Sequence, residues 1–393
     1  MKILIFSHLY YPNVYGGAEK NTQMVAEELA KRNLDVVVVT TSDRDYIDNV
    51  NGIKVYYLKT TNLYWALHSK AQAKYKKPLW HLLDSYNFFM AKKIETIIKT
   101  EIPSVALTNT LSGFSVAVWG LLKKHGIPLM HVMHDHYLLC LKTTMFSDKG
   151  NCDKQCWQCK VFSIPKKYAS RYVDYIVGVS HYILNRHLGK GYFKQAKYAT
   201  RLFNIFDIKS DRPKKKLTGD IIFGFVGQIS DGKGIELLLE QLSDMEDVIL
   251  YIYGKSQLLD YEANLKRKYE GSSIKFMGFK DNLEDVYNNL DILIVPSLWN
   301  DSAPRVIVEA YSFGIPVIAS NRGGISEFVE EGKTGFIFDP NDPSELKEKI
   351  KWFQANKEQI ELMSEFCLAK VKDFSKEKLI NEYIKSFHCL VGD

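Results

Sequence analysis

Val295-Pro-Ser-Leu-Trp-Asn-Asp-Ser-Ala-Pro-Arg-Val-Ile-Val-Glu-Ala-Tyr-Ser-Phe-Gly-Ile-Pro-Val-Ile-Ala319 carries the reading of the fold. An apolar run, Ile292–Pro296, enters it as a strand, and a second, Pro316–Ala319, leaves it. Between them Ser302 can cap a helix with Pro304 in its first turn, and Gly314 can close it. Nearly every interior residue of that helix is apolar except Glu309. A carboxylate buried there without donors would be costly, so Glu309 needs a partner. A ribose diol is one good partner, and an arginine in an ion pair is another. Asp301 lies eight residues earlier, in the strand-to-helix loop, where both carboxylates can reach one cleft.

The same alternation runs outward in both directions. Towards the start of the chain the strands read Lys2–Ser7, Asp35–Thr41, Lys54–Leu58, Val105–Thr108, Leu129–Met133 and Tyr175–Val179. The second half adds Ile221–Val226, Val248–Tyr253 and Ile274–Met277. Continuous Val/Ile-rich runs between amphipathic helices indicate parallel strands covered on both faces. Residues Asp207–Asp220 are polar and basic, as a linker is. With 393 residues the chain is too long for one ordinary core. It reads as an α/β protein of two doubly wound Rossmann-like domains facing a central cleft, with a nucleotide diphosphate expected among the strand C-termini and helix N-termini.

Two glycine loops open the halves. Gly16-Gly17-Ala18-Glu19 precedes a helix with Val25, Ala26, Leu29 and Ala30 at helical spacing. Glycines admit a ligand close to the backbone, although the same residues also make a plain tight turn. Gly227-Gln228-Ile229-Ser230-Asp231-Gly232-Lys233-Gly234 precedes the helix Ile235–Leu242 and nearly matches a P-loop. Gly234 stands where a P-loop needs a magnesium-binding hydroxyl, so an NTPase loses its metal ligand. A lysine at a helix N-terminus remains, suited to a diphosphate without a metal.

These motifs resemble those of family-4 retaining glycosyltransferases of the GT-B fold (glycosyl transferases group 1), and the likeness covers nearly the whole chain. Gly16, Gly17 and Glu19 match the family's Gly-Gly-x-Glu loop, and His134-Asp135 its histidine after a central strand. Lys233-Gly234 match the phosphate loop, while Gln228 takes the place of an arginine. Asp301 and Glu309 keep the spacing of the family's glutamate pair, and Gly323-Gly324-Ile-Ser-Glu327 and Gly335-Phe336 also fit.

The resemblance implies a retaining, hexosyltransferase-like enzyme that moves a sugar from a nucleotide-diphosphate-sugar to a glycan or lipid-linked acceptor, as in surface polysaccharide or glycolipid biosynthesis, without an essential metal. The acceptor would attack on the face from which the leaving group departs. His134, Lys233 and Asp301 would serve catalysis, and Gly16, Gly17, Glu19, Gln228, Arg305, Val306 and Glu309 would bind substrate. Residues 1–206 would form the acceptor domain, with a Cys-rich insertion at 140–159. Residues 207–375 would bind the nucleotide-sugar, and 376–393 would cross back as a helix. A nucleotide-sugar epimerase or phosphorylase of the same fold is an alternative, argued against by the Asp301–Glu309 segment. A non-catalytic, metal-bearing binding module is another, argued against by intact Lys233 and Glu309.

Cys140, Cys152, Cys156 and Cys159 fall close together. Four thiolates could hold a structural zinc, and an iron–sulfur cluster would use the same ligands. Free thiols and disulfides are the other readings, while Cys367 and Cys389 are expected only to pack. The net charge of +6 is mild, and no nucleic-acid motif accompanies it. Basic residues gather with aromatics in two places: Lys70, Lys74, Lys76 and Lys77 beside Tyr75 and Trp80, and Lys160, Lys166, Lys167 and Arg171 beside Phe162 and Tyr168. Such groups suit peripheral contact with an anionic membrane, and equally a solvated face over core aromatics. No apolar run approaches the ~20 residues that span a bilayer. The opening Met-Lys-Ile-Leu-Ile-Phe is too short for a signal-peptide core. The expectation is a cytoplasmic protein, at the inner face of the membrane if those groups dock there.

Overall fold

The computed structural model describes residues 1–393 except 15, 74, 209–216, 218, 246 and 393, and of residue 70 only the backbone. The chain divides into two compact units, Met1–Met145 with Cys152–Ile205 and Lys376–Asp393, and Phe146–Asn151 with Phe206–Ser375.

The first unit holds an eight-stranded sheet. Its strands are β1 (Lys2–Ser7), β2 (Asp35–Ser42), β3 (Tyr46–Val50), β4 (Ile53–Lys59), β5 (Val105–Thr108) and β6 (Leu129–Met133). The hairpin strands β7 (Phe146–Ser147) and β8 (Gly150–Asn151) follow in sequence and belong to the second unit. Then come β9 (Tyr175–Gly178) and β10 (Tyr198–Arg201). The spatial order is β10-β9-β6-β5-β1-β2-β4-β3, parallel except for the β3–β4 pair. Strand β1 lies at the middle with β2 on one side and β5 on the other, so the winding direction reverses between β1 and β5. The run Val36–Val39 is buried throughout because helices cover both faces of such a sheet. Each buried valine contributes roughly 1.5–3 kcal/mol.

The second unit has β11 (Ile222–Val226), β12 (Ile249–Tyr253), β13 (Ile274–Gly278), β14 (Ile292–Val295), β15 (Val317–Ser320) and β16 (Gly335–Phe338), in the parallel order β13-β12-β11-β14-β15-β16. Here the reversal falls between β11 and β14. The core runs from Phe223 and Ile235 through Leu250 and Ile292 to Phe353. Gly224 lies in β11 with its missing side chain facing Leu290, and a Cβ there would sit 2.3 Å from Leu290 Cδ1. That strand tolerates no larger residue without displacing Leu290.

Two α/β sheets of this kind agree with the expected fold class. Three expectations change. The helix after Asp301 begins at Arg305 rather than on a Ser302 cap, because Pro304 is still extended (φ −71°, ψ 112°) and no side chain caps it. Lys166, expected in a surface basic group, is buried; its Nζ donates to the Tyr137 carbonyl at 2.9 Å and lies 3.6 Å from the Tyr137 ring. Cys367 is buried, but Cys389 is exposed. Most of the expected linker Asp207–Asp220, and Lys74, lie outside the described residues. Among the described residues no helix is long and apolar enough to cross a membrane.

Candidate active site

In the second unit the loops that leave β11 and β14 flank the point where the sheet reverses, the usual ligand position in an open α/β sheet. After β11 the chain passes Gly227, the exposed Gln228 and a 3₁₀ turn, Asp231–Lys233, before the helix Ile235–Leu242. Gly234, between turn and helix, has φ +74°, and a Cβ there would lie 1.9 Å from the Pro296 carbonyl oxygen. Only glycine lets the lysine loop lie so close against the end of β14.

That contact brings Lys233 to Asp301: Nζ donates to Oδ2 at 2.6 Å. The ammonium also stands 4.8 Å from the centre of the Trp299 ring, while Trp299 Nε1 donates to the same carboxylate at 3.4 Å. Asp301 Oδ1 accepts from the Ala303 amide. Burial works to raise the Asp301 pKa, but the charge and hydrogen bond of Lys233 outweigh it and hold the carboxyl below its ordinary value. Lys233 thus stands at the start of a helix beside the switch point, held by one carboxylate.

Glu309 lies in the helix Arg305–Tyr311 and has found partners within its own unit. Tyr287 donates to Oε2 at 3.1 Å, and Arg305 Nε lies 3.6 Å from Oε1. Arg305 is stacked over the Phe206 ring at 4.4 Å, and its Nη1 is buried without a partner. The Val306 carbonyl lies 3.4 Å from the Tyr287 hydroxyl. Gly323 and Gly324 fold against the Asp301 backbone, with the Gly324 amide donating to the Asp301 carbonyl at 2.7 Å. The structure thus joins Lys233, Asp301 and Gly324, and separately Arg305, Val306 and Glu309, while Gln228 hydrogen-bonds to neither group.

In the first unit the expected residues also follow strand C-termini. Gly16 precedes the helix Gly17–Lys31 in extended backbone, and a Cβ at Gly16 would meet Glu19 Oε2 at 2.5 Å. That oxygen is buried without a hydrogen-bond partner. His134 follows β6, and its Nε2 meets Asn109 Oδ1 at 3.0 Å, Asn109 coming from the end of the neighbouring strand β5. Its Nδ1 lacks a well-formed partner, the Asn204 carboxamide offering only a weak one. Burial lowers the His134 pKa to about 4, so the ring is neutral at pH 7. Asp135 is shifted the other way, to about 6, by burial and by the neighbouring Glu19 charge, although the Tyr137 amide donates to it at 2.8 Å. A neutral histidine can hold a hydroxyl without carrying charge.

Sequence reasoning missed Asn109, Trp299 and Tyr287, which orient His134, Lys233 and Glu309. Asn109 had a signal in its position, a polar residue directly after an apolar strand. Three of the four clustered cysteines come near one another. Cys140 and Cys159 are buried, and their thiols hydrogen-bond to one another; Cys156 approaches Cys159, and all four remain free. Among the described residues no three His, Cys, Asp or Glu side chains are grouped to hold a metal ion.

Two family profiles divide the chain between them. "Glycosyltransferase Family 4" matches residues 15–197, and "Glycosyl transferases group 1" matches residues 207–369. An uncharacterized 42.6 kDa protein in the cps region of Klebsiella pneumoniae is 32% identical over 333 residues, covering 83% of this chain and 87% of its own length. An uncharacterized glycosyltransferase of Methanocaldococcus jannaschii is 26% identical over 97% of this chain and 96% of its own. Among solved structures, a sucrose-phosphate synthase of Thermosynechococcus elongatus superposes with a TM-score of 0.79 at 19% identity, covering 100% of this chain and 99% of that one. Anabaena HepE in complex with UDP-glucose superposes with a TM-score of 0.70 at 20% identity, over 98% and 100% of the two chains.

Proposed function

The chain belongs to the family-4, group 1 glycosyltransferases, and we propose that it moves a hexosyl group from a nucleoside-diphosphate-sugar to a surface-glycan or lipid-linked acceptor with retention of configuration. The observation that carries this reading is the Lys233–Asp301 pair at the switch point of the second sheet.

A donor diphosphate would take Lys233 from Asp301 as its counter-ion, with the helix beginning at Ile235 and the exposed Gln228 adding donors. Charge on the departing diphosphate would then be met by groups already in place, often the largest catalytic contribution. Asp301, released from Lys233, becomes free to accept from sugar hydroxyls. Glu309 would accept from the ribose hydroxyls, its position held by Tyr287 and Arg305. In the first unit, neutral His134 would bind a sugar hydroxyl through the nitrogen that lacks a well-formed partner. Gly234 in place of a metal-binding hydroxyl favours a reaction that survives chelators.

The test is a melting panel with UDP, GDP, ADP, dTDP and CDP, followed by product analysis with sugars on the best nucleotide. A ligand at ~100 times its dissociation constant stabilises by ~2.7 kcal/mol, enough to move a melting point by several degrees. A single stabilising nucleotide that loses its effect in Lys233→Ala supports the reading. No stabilisation by any of the five would sink it.

A further inference from the structure

The first unit leaves large apolar side chains uncovered on neighbouring helices. On helix Lys76–Ser85, Leu79 and Leu82 are 50% and 58% exposed, and Phe88 and Phe89, which begin the next helix, are each 67% exposed. Beside them lie the helices Trp157–Phe162 and Ile164–Ala169, with Trp157 73% and Ile164 62% exposed. The two groups are adjacent: Ser85 Oγ donates to the Phe162 carbonyl at 3.0 Å, and the His81 and Phe162 rings are 6.3 Å apart. Leu79 and Leu82 lie one turn apart on their helix, and Trp157, Val161, Ile164 and Tyr168 recur at helical spacing along theirs.

Charge on this face has one sign. No Asp or Glu occurs between Asp48 and Asp84 or between Asp153 and Asp174, and Asp84 itself is buried. Lys77, Lys160 and Lys167 are exposed among the apolar side chains, with Lys76 and Arg171 half-buried. The second unit offers a contrast, because its exposed Leu258 and Leu259 adjoin Asp260 and Glu262.

We propose that this face, Lys76–Phe89 with Trp157–Arg171, docks on the surface of an anionic lipid bilayer. The helices lie flat, with apolar side chains in the headgroup boundary and lysines on lipid phosphates. Helix Lys76–Ser85 has 10 residues, so contact of this kind is interfacial. The proposal stands apart from the sugar-transfer reading, since docking needs no donor.

Flotation with phosphatidylcholine vesicles, with and without phosphatidylglycerol, tests it. The protein should bind only the anionic vesicles and leave them as salt rises. A basic residue near such a surface contributes ~1 kcal/mol, about fivefold in partitioning, so K77E/K160E/K167E should weaken binding by about 100-fold or more. L82S/F88S/I164S changes only exposed positions and should weaken it at least tenfold, with unchanged circular dichroism. Absence from anionic vesicles at low salt would overturn the proposal, as would binding indifferent to both variants. So would a concentration-dependent dimer abolished by L82S/F88S/I164S, which would assign the face to a second copy of the chain.

Discussion

Histidine separates the two units completely. All ten lie in residues 1–205 and 376–393, and none in 206–375. Burial depresses His8, His81, His134 and His187 to about 4 and His131 to about 3, so the first unit is built around neutral rings. The second unit instead places its functional charges in pairs, Lys233 with Asp301 and Arg305 with Glu309. The two units share a fold, yet only the first buries histidine within it.

Acid should break the symmetry most strongly. A histidine lower in the fold than its ordinary 6.5 adds stability that is complete above that pH and lost as pH falls from 6.5 towards 4. For the fully buried His187 the loss is roughly 3 kcal/mol. Asp135 acts oppositely: raised to about 6, it costs stability above that pH and returns it as pH falls. Asp301 lies below its ordinary 3.8, so its contribution persists until the pH drops under that value. Hydrogen exchange at pH 7, 5 and 4 should therefore show first-unit peptides losing protection before those of the second. The reverse order would end the comparison.

Catalysis comes next. Lys233→Ala and His134→Ala should each lower turnover at least ~100-fold, the scale of single electrostatic groups. Nucleotide affinity should fall only in Lys233→Ala. Equal loss of affinity in both would mean that the division of labour is wrong. Gly234→Ala should destabilise the second unit by about 2 kcal/mol, because the added carbon meets the Pro296 carbonyl in left-handed backbone. Chemical denaturation followed by a probe in that unit measures it, and an unchanged midpoint would mean the loop relaxes freely. The smallest effect is Tyr287→Phe, which removes one hydrogen bond to Glu309 and should weaken nucleotide binding by about 1 kcal/mol, roughly fivefold. Calorimetry should register it while His134→Ala leaves the same titration unchanged.

Much of this could be read along the chain, because the decisive features are local. β1, β5 and β6 are continuous apolar runs and fall where their composition puts them. β3, β10 and β16 escaped notice because they are short edge or near-edge strands with polar or aromatic residues, whose partners lie elsewhere in the chain. The Ser302 cap failed for a backbone reason, since a residue preceding proline is driven out of the helical region and Pro304 delays the start. Lys233 and Glu309 stood out as polar residues in glycine-rich or apolar settings, and His134 only through the family resemblance. Their orienting neighbours Trp299, Tyr287 and Asn109 did not, because those pairs form only when strands and helices distant in sequence close on one another. The cysteines show the opposite limit: short spacing suggested four equivalent ligands, whereas folding buries Cys140 and Cys159 and leaves Cys156 exposed.

The helix Lys376–Val391 belongs to the first unit, with Leu379, Ile380, Tyr383 and Phe387 buried there, although the whole second unit precedes it in the chain. On the ribosome the first unit therefore waits. Its residues before 206 emerge with an apolar face still bare, and that face stays bare until residues 206–375 have been synthesised and this helix follows. For that interval the first unit lacks its last covering helix, whereas the sheet of the second runs contiguously from β11 to β16 and waits for no later strand.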